Sequence, residues 1–149
     1  MTDLVNIWRT QVEDVHDWYF SYGNASNRNL LGDQEGFQSN KLYFLLDTIT
    51  RVPTFSENGG RGDISFSGNF MLVVKSDLDQ IFDNQKEQVY TDGKYEKNIR
   101  PIIETNLVAF EDYINCSDYE ITSWSFIDAV NVLDLNLDGV IVTFTVKKL

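Results

Sequence analysis

The sequence predicts an α+β fold in which two amphipathic helices pack on one face of a mostly antiparallel β-sheet, in the order α-β-β-α-β-β. Three observations lead there. Two segments, beginning at Leu4 and at Asn98, repeat apolar residues every three to four positions, and a helix with such a stripe needs a surface to bury it against. Near the C-terminus the chain alternates with a period of two, Val140, Val142, Phe144 and Val146 against Ile141, Thr143, Thr145 and Lys147, as a half-buried strand does. Glycine-containing segments separate the strand-like runs, where hairpin connections belong.

Taken in order, the first helix carries Leu4, Trp8, Val12, Val15, Tyr19 and Tyr22 on one stripe, with Thr2 or Asp3 as N-cap and Gly23 just past its end. Residues 24–40 are polar and glycine-containing and read as a long loop. Residues 41–49 are an apolar run followed by Arg51-Val52-Pro53; since proline marks an edge or a strand end, the run is read as a strand. Residues 57–63 hold three glycines and predict a hairpin connection, and residues 64–75 a second strand in which Gly68 suggests a bulge or bend. Residues 76–93 are acidic and amide-rich, with Leu78, Ile81, Phe82, Val89 and Tyr90 as apolar anchors, and read as connection. The second helix spans 98–116 with the stripe Ile99, Ile102, Ile103, Leu107, Phe110 and Ile114. Asn98 would cap it and Pro101 would sit in its first turn, where proline is tolerated. A final hairpin closes the chain, its first arm at 120–137 irregular around 128–131.

The turn of that hairpin is placed at Asp138-Gly139, because a type I′ turn needs positive φ at both central residues and Asp-Gly supplies it. The same stretch resembles a calcium loop: Asp134, Asn136, Asp138 and Gly139 have the spacing that turns three oxygens toward one cation. The position that should supply a bidentate carboxylate is Thr145, however, and a strand follows where a helix should. The hairpin reading is preferred to metal binding.

Composition bounds the function. A chain of 149 residues, 42% hydrophobic and 13% aromatic, suits a single domain over 1–149 with a sizeable core. The net charge of −11 and pI near 4.3 oppose a nucleic-acid surface or an anionic membrane surface, both of which draw affinity from Lys and Arg. The single cysteine, Cys116, cannot form an internal disulfide and reads as a small buried hydrophobe in a protein made in a reducing cytosol. No basic segment followed by an apolar core opens the chain, and no run of about 18 apolar residues occurs, so neither secretion nor a membrane span is expected.

No catalytic pattern emerges. His16 is a lone histidine at the edge of an apolar stripe, and one histidine with one cysteine cannot make a zinc site. Arg61-Gly62-Asp63 matches the adhesion tripeptide but, without a secretion signal, is read as an ordinary hairpin tip. The neighbouring glycines lack the Gly-Lys-Ser/Thr of a phosphate loop. Asp77, Asp79 and Asp83 read as solvated surface. No catalytic residue, cofactor or metal is therefore expected. What remains is the crowding of Trp18, Tyr19, Phe20 and Tyr22: these four aromatics cannot all enter one helical core stripe, so at least one should face outward as an interface anchor, unless a loop folds back over them.

The succession of an N-terminal helix, a polar loop, the runs 43–53 (Tyr-Phe-Leu-Leu-Asp-Thr-Ile-Thr-Arg-Val-Pro) and 68–79 (Gly-Asn-Phe-Met-Leu-Val-Val-Lys-Ser-Asp-Leu-Asp), a helix and a hairpin over 119–147 resembles the small tail-terminator or tail-completion proteins of tailed bacteriophages. The likeness covers nearly the whole chain, in element order and texture. It implies a non-enzymatic virion protein, made in the host cytoplasm, that forms a homo-oligomeric ring, often a hexamer, on the head-proximal end of the tail tube. Its partners would be itself, the tube protein and head-tail connector or neck proteins, with DNA passing through unbound. An acidic lumen suits that passage. Candidate contact residues are Trp18 and Phe20, Asn27 and Arg28 in the polar loop, and Arg61 and Asp63 at the hairpin tip. The alternatives are a head-tail connector or other neck protein, or a small cytosolic binding module or enzyme.

Overall fold

The computed structural model describes residues 3–23, 41–75, 93, 95–132 and 137–149. Helix α1 starts at Asp3, whose carboxylate accepts a hydrogen bond from the Val5 amide at 3.1 Å and so satisfies one of the free donors of the first turn. It is α-helical over Leu4–Thr10 and widens into a π-helical turn over Gln11–Val15. The expected helix to Tyr22 is not formed. The chain reverses at Asp17, whose φ of 58° is left-handed, and Tyr19–Tyr22 become strand β1. The reason is tertiary: β1 pairs in parallel with β2 (Leu42–Leu46), and the Phe20 ring stacks on Phe44 at 5.8 Å. Aromatic residues hold the helix weakly, so pairing and ring burial prevail.

Strand β2 and strand β3 (Thr50–Phe55) run antiparallel along the same side of β4 (Arg61–Lys75), with the register slipping by one residue between Leu46↔Phe70 and Thr50↔Ser67. Pro53 thus lies inside an outer strand, a place where a missing N–H costs no ladder bond. The β3–β4 connection is tighter than the sequence suggests: the Ser56 amide bonds the Gly60 carbonyl at 2.8 Å, and Arg61-Gly62-Asp63 already belong to β4. Gly68 pairs regularly with Phe144. The irregularity expected there falls instead on the neighbouring residues 47–49, where Ile49 packs over the bare glycine.

Beyond β4 lie β6 (Leu137–Lys148) and then β5 (Tyr119–Val132), giving the strand order β1-β2-β4-β6-β5 with β3 beside β4. Every pairing but β1–β2 is antiparallel. The fold is therefore α+β with a six-stranded, mostly antiparallel sheet and two helices. Its order, α-β-β-β-β-α-β-β, adds β1 and β3 to the one predicted.

Helix α2 precedes β5. It begins earlier than Asn98, with a π-helical turn at Tyr95–Ile99, passes through Arg100 and Pro101, opens again over Ile102–Asn106 and is α-helical over Leu107–Asn115. Pro101 accordingly sits within the helical run, and wide turns flank it where a proline removes an i→i−4 bond. Asn98 is not a cap. Its side chain donates to the Asp138 carboxyl at 2.9 Å.

One apolar cluster joins Leu4, Trp8 and Val12 of α1, Leu107, Phe110 and Ile114 of α2, and the alternating residues Phe44, Phe70, Leu72, Val142, Phe144 and Val146 of the strands. Trp8 is its hub, with ring centroids 6.0 Å from Phe44 and from Phe70, 5.2 Å from Phe110 and 4.9 Å from Phe144. The opposite residues of the same strands, Tyr43, Leu45, Met71, Val73 and Leu137, make a second cluster. The period-two reading of Val140 to Val146 is thus realised in β6.

The hairpin turn lies elsewhere than Asp138-Gly139. Val132 pairs with Leu137, so the connection is 133–136, which falls outside the described residues together with Asp134 and Asn136. Asp138 and Gly139 are ladder residues opposite Val74 and Val73, and Asp138 is fully buried. Gly139 is there for closeness: a Cβ at this position would meet the Leu72 carbonyl oxygen and lie 2.8 Å from Val73 Cα. Turn chemistry is a local preference, and pairing on both sides of β6 outweighs it.

Candidate interaction surface

The side chains able to do chemistry are dispersed. The π-helical end of α1 places His16 with its ring stacked on Trp18 at 4.4 Å and its Nε2 3.2 Å from Gln11 Nε2. Burial holds its pKa below the ordinary histidine value, as desolvation disfavours the charged ring. Cys116 ends α2 and is exposed, contrary to the expectation of a buried thiol, because the apolar stripe of α2 ends at Ile114. Among the described residues no three His, Cys, Asp or Glu side chains converge as metal ligands. Burial raises the pKa of Tyr113 and Tyr119. A cleft of about 250 Å³ lies where β4, β5 and β6 meet, lined by Ile64, Phe66, Tyr119 and Lys148; another of about 320 Å³ lies between Thr10 of α1 and Tyr113 of α2.

The residues singled out from the sequence do not form one site. Trp18 and Phe20 are 8% and 7% exposed, facing the main cluster, so the exposure that suggested an interface role is absent. The outward aromatic of that group is Tyr22, whose hydroxyl accepts from the Ile49 amide at 3.2 Å. Asn27 and Arg28 lie outside the described residues. Arg61 and Asp63 are exposed as expected, but in the paired opening of β4, two residues apart on one side of a strand, rather than at a projecting tip.

Residues that the sequence reading passed over define a surface at the far margin of the sheet. Strand β5 pairs with β6 on one side, and among the described residues no strand covers its other side. Phe126 is 39% exposed, Ile127 66% and Val130 46%. Phe126 lies opposite Val142, on the face of the main cluster, and Ile127 opposite Ile141, on the other, so both faces are bare at this point. The signal was legible: adjacent apolar residues in a period-two strand cannot share one buried face.

At the diagonally opposite corner, β3 and the start of β4 form an arm. Residues 50–52 and 54–63 are all exposed, with Val52 at 52% and Phe55 at 63%. Arg51 of the arm bonds Asp3 at 3.0 Å and ties the arm's base to α1. Isolated exposed hydrophobes are ordinary; two groups at opposite corners of a single sheet are less so. No known protein family, curated protein or solved structure matches the chain.

Proposed function

We propose that the chain is a non-enzymatic assembly subunit that joins copies of itself into a ring, and that its role is that of a tail terminator or tail-completion protein of a tailed bacteriophage, at the virion neck. The observation that carries the reading is the open edge of β5, apolar on both faces at Phe126 and Ile127, a surface suited to strand addition rather than to chemistry. The charge of −11 is consistent with a ring that lets DNA slide through without holding it. A head-tail connector or other neck protein would use the same surface, on a different partner.

The test is negative-stain electron microscopy and light scattering across a concentration series, with phage tails added. Closed rings, free or capping tube ends, are expected. A protein that stays monomeric throughout and never joins a tube would remove the reading in favour of a binding module or an enzyme.

A further inference from the structure

We propose that the β5 edge of one copy receives the β3–β4 arm of the next, so that copies join head to tail through two different surfaces. This rests on the assembly reading above and assigns its contact.

The two margins of the sheet are not equally protected. Natural sheets blunt their open edges with lysine, proline or very short strands. On the margin away from β5, β1 has four residues, and β3 carries Arg51 and Pro53. Strand β5 has fourteen residues and neither lysine, arginine nor proline; from Ile121 to Ile127 it has no charge at all. Such an edge is a template for another strand, and in a soluble assembly it needs an occupant.

Charge selects the occupant. The charged residues of β5 are Glu120 and Asp128, both acidic. A second copy also carries −11, so contact at this edge is favourable only where that copy presents a local cation beside apolar surface. The arm does so: Arg61 stands opposite exposed Phe55, with Asp63 two residues farther along β4 and Val52 at the Ser65 position, and among the described residues neither Arg61 nor Asp128 has an ion-pair partner. The dimensions agree, since β3 has six residues and all but Trp124 and Ala129 of the β5 residues from Thr122 to Val130 are exposed. Pairing β5 with the β5 of another copy would bring acid toward acid and leave every arm bare. Each arm-to-edge contact covers one copy's arm and the next copy's edge, and repetition of this heterologous contact, which covers both apolar groups in every copy, closes a ring or extends a filament.

Two variants test this, Ile127→Asp in the edge and Phe55→Asp in the arm, both at exposed positions, with circular dichroism melts to confirm folding. Light scattering should find each variant monomeric alone. Mixed one to one, they should form a dimer that grows no further, because one intact edge meets one intact arm and the remaining surfaces are blocked. If Phe55→Asp assembles like the wild type while Ile127→Asp does not, the edge pairs with another edge and the proposal is overturned. If both variants assemble like the wild type, the proposal falls and the assembly reading stands. A wild type that never assembles removes both. Should either aspartate variant fail to fold, Arg61→Glu and Asp128→Arg serve instead: each alone weakens assembly, the double variant restores it, and additive losses overturn the pairing.

Discussion

Replacing Gly139 with alanine is the most direct probe of how the last strand is built. An alanine Cβ there would press on the Leu72 carbonyl oxygen and on Val73 Cα, main-chain atoms of β4 that no rotamer change can move aside. The strands must separate locally. Overpacking of this kind costs about 1–3 kcal/mol, a weakened ladder hydrogen bond about 1 kcal/mol more, and the stiffer unfolded chain of alanine returns about 0.4–1 kcal/mol. The net loss is about 1–3.5 kcal/mol, or roughly 3–11 °C in Tm for a chain of this length. Urea unfolding and a thermal melt measure it. The companion variant Gly139→Asn separates the strand from a turn. Asparagine tolerates the left-handed conformation of a turn and would be nearly neutral there, whereas in the ladder it carries the same Cβ and must lose at least as much as alanine. A near-neutral Gly139→Asn, or a Tm for Gly139→Ala equal to or above the wild type, refutes the close approach of β6 to β4.

Two further outcomes follow from the same packing. Asn98→Ala removes the 2.9 Å hydrogen bond to the buried Asp138 and should cost about 1–3 kcal/mol in urea unfolding; a change within error would mean that Asp138 does not depend on α2. His16 is held below its ordinary pKa of 6.5 by burial, so as the pH falls the unfolded chain takes up the proton first. Its contribution is intact above that value and is lost as the pH drops through it and on through the lower folded pKa. The variant His16→Gln should therefore lose less Tm than the wild type between about pH 7.5 and about pH 5, and equal losses would show that the ring titrates alike in both states.

Much of the fold was legible because burial imposes a period. Val140, Val142, Phe144 and Val146 alternate since β6 lies between β4 and β5 with one face on the main cluster, and Leu107, Phe110 and Ile114 repeat since α2 turns one side inward. The errors occurred where two periods fit the same residues. Tyr19 and Tyr22 continue the stripe of Val12 and Val15 at helical spacing, yet Tyr19–Tyr22 is also four residues of aromatic, strand-forming sequence, and only the presence of β2 beside them decides. In the same way Asp138-Gly139 satisfies a turn by its own chemistry but is a ladder pair once Val73 and Val74 are in place.

The proposed interface was half legible. Phe126-Ile127 in the charge-free run 121–127 announces two apolar faces, but whether those faces are covered depends on strand order, and order is a property of long-range pairing. The arm was hidden for a related reason: Pro53 reads as a strand end until β4 is seen to hold β3 in register. The amino-acid sequence by itself determined the types of all elements but β1 and β3, the apolar stripes and the acidity that bounds possible partners, since propensity, periodicity and charge act over a few residues at a time. The tertiary structure alone decided where α1 stops, where the last hairpin turns and which edge of the sheet is left open, because each depends on a strand distant in sequence supplying hydrogen bonds and apolar surface that local preference cannot match.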